Sequence, residues 1–214
     1  MQKYISEFIG TFILLVSIVG SGIAGQQYTN DQMVILVSHA VVIGLTLIFI
    51  IGIFANFSGA HFNPIVSILF FLQKELSIKD LFIFISIQIT AAILGTIFAN
   101  YIFGLSIVEI SSNIRSGTNI YISEIFASFG LLMVILLSKV GGKNIVAFNV
   151  GIYITAAIIF TSSASFANPA VSIARIFTES FAGINPSTVI FFIGSQVIGM
   201  FGAYFLYNRL FKTK

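Results

Sequence analysis

Residues 63–68 read Asn63-Pro64-Ile65-Val66-Ser67-Ile68, and residues 168–173 read Asn168-Pro169-Ala170-Val171-Ser172-Ile173. Asparagine is a preferred N-cap residue because its side-chain oxygen accepts a free backbone N–H. Proline suits the next position, where its missing N–H costs nothing. Each copy therefore predicts the start of a helix. The apolar runs end at Lys74 and near Thr178–Glu179, which gives helices of about ten residues, or roughly 15 Å. This is about half of a ~30 Å hydrocarbon core.

The composition predicts an all-α integral membrane protein. Of the 214 residues, 57% are hydrophobic and only 8% are charged, which is too few charges to cover a soluble domain of this size. The net charge of +3 is small, so we expect no nucleic-acid partner. The chain has no cysteine, which excludes disulfides, thiolate metal sites and cysteine nucleophiles. We expect no cofactor, no metal site and no enzymatic activity.

Long apolar stretches predict six membrane spans. The start of the chain lacks a small-residue cleavage site after a short apolar core, so we expect a retained first span and no signal peptide. The short stretches before the two half-helices are rich in small and polar residues, which suits tight turns at membrane depth. The predicted spans cover about residues 4–25, 33–54, 81–103, 121–140, 144–160 and 187–207.

The two halves of the chain repeat in order, which indicates a duplicated unit. Each unit has three full spans, so the second copy must cross the membrane in the opposite sense. We therefore expect one transmembrane domain, 1–214, built of inverted repeats at about 1–105 and 118–214, with its site near the bilayer midplane. The alignment pairs residues 6–15 with 123–132, Gly44 with Gly151, Asn63 with Asn168, and Gln88 with Gln196.

The basic residues predict the orientation. With the N-terminus inside, Arg115 is the one basic residue in an outside loop, and Arg175 lies on the second half-helix. Because basic residues favour the cytoplasmic side, we expect both termini in the cytoplasm, in a multi-pass protein of a bacterial inner membrane. The eight inside residues are Lys3, Lys74, Lys79, Lys139, Lys143, Arg209, Lys212 and Lys214.

Inverted symmetry brings the two half-helices together N-terminus to N-terminus. Both positive dipole ends then point at the centre, each equivalent to roughly half an elementary charge, and such a centre repels cations. The amides of Asn63 and Asn168 can also donate to a passing oxygen. An oxygen held by two donors turns toward both, which interrupts a proton wire while neutral molecules pass.

These features resemble the aquaporin (major intrinsic protein) family over essentially the whole chain. The resemblance rests on the paired boxes Asn63-Pro64-Ile65 and Asn168-Pro169-Ala170, on the run Ser58-Gly59-Ala60-His61-Phe62-Asn63-Pro64, and on the matched Glu and Gln positions. It implies a bundle of six transmembrane helices plus two re-entrant half-helices, and a homotetramer in the lipid bilayer with one pore per subunit. It also implies that Glu7 and Glu124 brace the re-entrant loops as buried acceptors. We also expect His61 to lie at the inner mouth and to hydrogen-bond the loop.

The chain departs from the family pattern at the narrow outer filter. Most members place an arginine where this chain has Val171, and the first box ends in Ile65 where alanine is usual. Spacing places Ile43 and Ser165 at two further filter positions. The span 5 position is Ile158 when counted from Gly151 and Ala156 when counted back from Asn168; we favour Ile158, because a loop shortens more easily than a span. The filter Ile43, Ile158, Ser165 and Val171 is apolar and favours small uncharged solutes.

Arg175 follows Val171 by four residues, so it shares a helix face one turn deeper. It either replaces the missing filter charge or has a structural role, pairing with loop carbonyls or with Glu179. We favour the structural role. The run from Asn168 to Arg175, with Phe181-Ala182-Gly183-Ile184 after it, resembles a bacterial aquaporin branch associated with arsenic-resistance operons. Members of that branch also lack the filter arginine and are implicated in arsenite permeation.

Two functions remain open at this point. The first is a passive channel for water and small uncharged solutes such as glycerol-like polyols and metalloid hydroxides. The second is an ion-coupled secondary transporter, which inverted repeats and broken helices also allow. A transporter needs ion-binding groups at the midplane, and the spans carry only two acids, Glu7 and Glu124, which argues against it.

Overall fold

The computed structural model describes residues 1–211, which form eight α-helices and no β-strand. Two 3-10 turns, Lys139–Gly141 and Arg175–Phe177, follow α5 and α7. Lys212 and Lys214, which the orientation prediction used, lie outside the described residues. The helices are α1 (Gln2–Tyr28), α2 (Gln32–Phe54), α3 (Pro64–Leu72), α4 (Ile78–Ile102), α5 (Thr118–Ser138), α6 (Lys143–Phe160), α7 (Pro169–Ala174) and α8 (Pro186–Leu210).

Six of these helices, all except α3 and α7, are long and apolar enough to cross a membrane. This confirms the six predicted spans, and the helix ends differ from the predicted ends by three residues or fewer. The outer surfaces of the long helices expose large apolar side chains, among them Phe49, Phe82 and Phe205. Such surfaces need a lipid environment, so the chain is a multi-pass membrane protein.

Glycines allow the long helices to touch backbone to backbone. A Cβ atom added to Gly44 on α2 would lie 2.7 Å from the carbonyl oxygen of Gly151 on α6, and one added to Gly151 would lie 2.5 Å from that of Gly44. Gly95 on α4 packs in the same way on the backbone of Phe12. Small residues at such crossings are typical of membrane helix packing.

The half-helices α3 and α7 begin at the predicted Asn-Pro pairs. Asn63 caps α3 and Asn168 caps α7, each through its side-chain oxygen. The expectation that the second half-helix reaches Thr178–Glu179 is wrong, because α7 ends at Ala174 and only a 3-10 turn follows. The N–H of Arg175 bonds the carbonyls of both Val171 and Ile173, which tightens the last turn and ends the α-helix.

The bundle has two ends, the terminal face and the far face. The terminal face holds residue 3 and residues 56, 75, 80 and 139–143. Lys139 Nζ bonds Glu75 Oε1 at 2.6 Å, Lys143 Nζ bonds Asn56 Oδ1 at 2.9 Å, and Lys3 pairs with Asp80 at 2.8 Å. The far face holds residues 26, 104–117 and 178–185, which are joined by hydrogen bonds such as Phe181 N to Gln26 Oε1 at 2.7 Å. The half-helices α3 and α7 lie between these two faces.

Candidate functional site

The loop before α3 is held by a fully buried carboxylate. Glu7 Oε1 accepts hydrogen bonds from Ser58 Oγ at 2.7 Å and from the backbone N–H of His61 at 2.9 Å. Its Oε2 accepts from the backbone N–H of Phe62 and from Gln88 Nε2, both at 2.8 Å. All four donors are thereby satisfied without water, as buried polar groups require. The structure thus places Glu7 where the bracing role was expected.

Glu124 takes the same place in the second half of the chain. Its Oε1 accepts from the backbone N–H of Ala167 at 2.6 Å and from Gln196 Nε2 at 2.8 Å. Glu124 and Gln196 are both fully buried. Each loop before a half-helix is therefore tied to the first helix of its own half by a carboxylate, and that carboxylate accepts in turn from a glutamine on the last helix of the same half.

Two serines that the sequence reasoning did not single out complete this pattern. Ser67 Oγ accepts from Gln88 at 3.0 Å, and Ser172 Oγ accepts from Gln196 at 2.9 Å. Each serine lies four residues after the capping asparagine of its half-helix. Their equal position in the two boxes was a sequence signal that could have identified them. Ser67 Oγ also contacts the ring of His61, whose Nδ1 lies 3.1 Å away.

The capping asparagines meet at the centre of the molecule. Asn63 Nδ2 donates to the carbonyl of Ala167 at 2.7 Å, and Asn168 Nδ2 donates to that of Phe62 at 2.9 Å. Phe62 and Ala167 are in the left-handed region, with φ of +50° and +45°, a conformation that is costly for residues other than glycine. The strained backbone turns each carbonyl toward the opposite asparagine.

A cavity of about 450 Å³ runs past both asparagines. At the terminal face it is lined by Lys139 and Lys143, and toward the far face it is lined by Val171 and Arg175. Most of the side chains between these ends are apolar. The proline and third residue of each box, Pro64, Ile65, Pro169 and Ala170, are buried behind the asparagines in the helix cores.

All four residues expected at the filter line this cavity, namely Ile43, Ile158, Ser165 and Val171. Ala156, the alternative to Ile158, is exposed on the outer side of α6. The structure therefore places Ile158 and not Ala156 at the cavity wall. Ser165 is the one polar member of the four, and its neighbours make this level of the cavity apolar.

Arg175 lies on the far side of Val171. The expectation that it lies one turn deeper is wrong, because α7 starts at the centre and runs outward, so Arg175 is nearer the far face. Its Nε donates to the carbonyl of Ala182, and its guanidinium carbon lies 3.5 Å from the ring centroid of Phe166. The loop-carbonyl pairing is thus present.

The alternative pairing of Arg175 with Glu179 is wrong. Within residues 1–211, Glu179 instead accepts from the backbone N–H of Ser112 at 2.6 Å and from the Ser112 hydroxyl. These hydrogen bonds hold the pKa of Glu179 below its ordinary value, because they favour the charged carboxylate. The α7–α8 connection is therefore tied to residues 104–117 by this carboxylate.

Arg115 anchors the same connection from the segment that joins the two halves of the chain. Its Nε donates to the carbonyl of Gly183 at 3.0 Å, and a terminal amino group donates to that of Phe181 at 2.8 Å. Burial lowers the pKa of Arg115 below its ordinary value, since the charged form loses hydration. Arg115 and Arg175 together hold the carbonyls of three consecutive residues, 181–183.

Six membrane-length helices that enclose two half-helices with facing asparagines define an aquaporin-like membrane protein. A sequence model of the family described as Major intrinsic protein matches residues 1–162. The chain belongs to this family, the aquaporin family, whose members are membrane channels and not enzymes. This identification confirms the family resemblance and the expected fold.

Individual members of the family are also similar to this chain. The chain is 38% identical over 198 residues to "Aquaglyceroporin AqpS" of Rhizobium meliloti, covering 92% of this chain and 85% of that protein. It is 29% identical over 144 residues to "Aquaporin NIP1-1" of Arabidopsis thaliana, covering 63% of this chain and 48% of that protein. The solved structure of the aquaglyceroporin from Plasmodium falciparum has the same fold, with a TM-score of 0.73, 21% identity, and coverage of 98% and 96% of the two chains.

Proposed function

We propose that the protein is a passive channel for water and small uncharged solutes, including glycerol-like polyols and metalloid hydroxides such as arsenite. One observation carries the proposal: the cavity passes two facing asparagines and then an apolar level where Val171 stands in place of an arginine. The apolar level admits solutes with carbon or metalloid centres. The printed name of the bacterial relative, an aquaglyceroporin, supports the same class of permeant.

Ion exclusion follows from the centre of the cavity. Two helix N-termini face each other there, each equivalent to roughly half a positive charge, so a cation meets repulsion. An anion must shed its water at the apolar filter level, where few groups replace it. A neutral solute meets no charge repulsion at the centre, and it loses less hydration energy than an ion at the apolar level. Each asparagine amide has one N–H left for the permeant after its bond to the opposite loop.

The positions of the acids disfavour an ion-coupled transporter. Glu7 and Glu124 bond the re-entrant loops and do not line the cavity. Within residues 1–211 the cavity has one acidic lining residue, Glu75, which lies at the terminal face and pairs with Lys139 at 2.6 Å. A coupled transporter needs titratable or ion-binding groups near the midplane.

The site residues take the following roles in this proposal. Asn63 and Asn168 orient the permeant, while Ile43, Ile158, Ser165 and Val171 form the filter. Glu7, Glu124 and His61 hold the loops in place. The chain acts as one domain of inverted repeats, about 1–105 and 118–214, and assembles as a homotetramer with one pore per subunit.

We place the channel in a bacterial inner membrane, with the terminal face and both chain ends in the cytoplasm. The excess of basic residues on this face supports the orientation. The source of the aquaglyceroporin relative, Rhizobium meliloti, supports a bacterial membrane. The far face, with residues 104–117, is then the outer face.

The test is a side-by-side swelling assay of proteoliposomes with water, glycerol, urea and arsenite. The proposal expects glycerol and arsenite to enter faster than in protein-free liposomes. Water permeation without glycerol or arsenite entry would limit the protein to a water channel. No increase for any of the four would overturn the proposal.

A further inference from the structure

The far end of the cavity holds a buried arginine, Arg175, that forms no ion pair within residues 1–211. Arg175 is 4% exposed and lines the cavity one helical turn outward of Val171. Within residues 1–211 its side chain makes one hydrogen bond, from Nε to the carbonyl of Ala182. Its two terminal amino groups donate to no protein atom among these residues, and they belong to a side chain that lines the cavity. Arg175 therefore presents free N–H donors to the cavity.

The guanidinium of Arg175 is fixed in position from two sides. Its guanidinium carbon lies over the Phe166 ring, 3.5 Å from the ring centroid, and its Nε donates to the carbonyl of Ala182. Arg115 lies 5.4 Å from the same ring centroid. A planar guanidinium that is held at its Nε and at its face keeps its terminal donors in one direction. Such preorganised donors bind without paying the cost of ordering a long side chain.

A second polar group lines the same end of the cavity. His39 on α2 lies at the cavity wall and is 3% exposed. Its Nδ1 is 2.8 Å from the hydroxyl of Ser21, and its ring packs edge-on against Phe181. With Nδ1 used in this way, the remaining ring nitrogen is available to a solute. The cavity thus changes from an apolar level at Val171 to a polar level at Arg175 and His39.

We propose that Arg175 is a specificity-determining residue of the channel, forming a second and outer filter level whose N–H groups donate to the oxygens of a hydroxylated solute. This inference rests on the proposed channel function. A polyol or a metalloid trihydroxide gives up water hydrogen bonds as it enters the apolar level around Val171. Donors directly outside that level compensate part of this loss. A water molecule, with one oxygen, gains less from a two-donor fork than a solute with several hydroxyls.

The alternative role for Arg175 is a loop clamp alone, and Arg115 provides a matched control. Both arginines hold carbonyls of residues 181–183, but Arg115 is not among the residues that line the cavity. A variant of Arg115 loosens the same loop without removing a donor from the cavity. The two variants therefore separate a contact with the solute from a contact with the loop.

The experiment compares glycerol and water permeability in proteoliposomes for wild type, Arg175→Met, Arg175→Lys and Arg115→Met, with thermal unfolding in detergent as a fold check. We expect Arg175→Met to lower the glycerol-to-water ratio by about fivefold or more, and Arg115→Met to leave this ratio within about twofold of wild type. Equal ratios in these two variants would show that Arg175 acts on the loop alone and would overturn the proposal.

The lysine variant keeps the test decisive if Arg175→Met does not fold. Lysine keeps the charge but lacks the planar fork, so we expect the ratio to fall by about twofold or more. If Arg175→Lys kept the wild-type ratio of glycerol to water permeability, donation by the two terminal amino groups of Arg175 would be excluded as the cause of selectivity. Wild-type glycerol flux over protein-free liposomes separately tests the channel function, so failure of the channel proposal is distinguishable from failure of this one.

Discussion

Asn63 and Asn168 each bond the backbone directly before the other. Asn63 Nδ2 donates to Ala167 O at 2.7 Å, and Asn168 Nδ2 donates to Phe62 O at 2.9 Å. Their side-chain oxygens cap the half-helices α3 and α7. The two half-helices are therefore one unit, in which a change at either asparagine alters both loops. Within residues 1–211 each amide uses one N–H in this way, and both asparagines line the cavity.

Asn168→Asp should disrupt permeation without unfolding the protein. Aspartate is as good an N-cap as asparagine, but it cannot donate to Phe62 O, and its charge binds cations at the centre. We expect water and glycerol flux to fall by about fivefold or more, because a filled or distorted centre blocks single-file passage. Stopped-flow light scattering of proteoliposomes measures both fluxes.

Asn185→Asp is the matched control for this change. Asn185 also precedes a proline and caps a helix, α8, through its side-chain oxygen, and its amide bonds Ser111 O at 3.2 Å. It is not among the residues that line the cavity. We expect its fluxes to match wild type. Wild-type flux in Asn168→Asp, or equal loss in both variants, would remove Asn168 from the permeation path.

Val171→Arg should narrow the filter level. Val171 is 2% exposed at the cavity wall beside Ile43 and Ile158, so a longer side chain must project into the cavity. We expect glycerol and arsenite flux to fall about tenfold and water flux by less than about threefold. The reason is that a narrower pore excludes the larger solutes before it excludes water. Val171→Leu, which stays apolar, is the control. Equal loss of water and glycerol would contradict a filter role for Val171.

Glu7→Gln should destabilise the loop before α3. An amide nitrogen cannot accept, so at least one pair of donors, such as His61 N and Ser58 Oγ, loses its acceptor. Each buried donor left unpaired costs about 1–3 kcal/mol. Thermal unfolding in detergent should show a clear drop in the midpoint. Glu75→Gln, which breaks a surface ion pair with Lys139, should cost at most about 1 kcal/mol; equal drops would contradict the bracing role.

Gly44→Ala should separate α2 from α6. The added methyl would lie 2.7 Å from the carbonyl oxygen of Gly151 and would also clash with the hydroxyl of Thr155. We expect a loss of about 1–3 kcal/mol, as for other overpacked helix contacts. Gly52→Ala lies on the same helix with no atom within 4 Å of the new methyl. We expect that control to be neutral or slightly stabilising, and a similar loss in both would exclude the crossing as the cause.

Local signals in the sequence were sufficient for the helices and the centre. The Asn-Pro pairs cap helices through contacts within three residues, so their starts could be read directly. The ordered repeat placed Glu7, Gln88 and their counterparts Glu124 and Gln196. The bracing role of the two glutamates was implied by the family resemblance, and burial gives its physical reason, because a carboxylate inside the bundle must find donors.

The far end of the site could not be predicted from local signals. The position of Arg175 depends on its contacts with Phe166 and Ala182 and on the early end of α7. The hydrophobic pattern of the sequence predicts none of these features. Glu179 is bound by Ser112, from a segment without regular structure whose path is set by tertiary contacts alone. The sequence therefore indicated the missing arginine at Val171 but not the outward direction of Arg175.

Passive permeation is tested by glycerol uptake into proteoliposomes with no ion gradient, with an imposed proton gradient and with an imposed sodium gradient. A passive channel predicts the same initial rate in all three conditions and equilibration to the external concentration. Uptake that requires a gradient, or that accumulates glycerol above the external concentration, would contradict the channel and favour a coupled transporter.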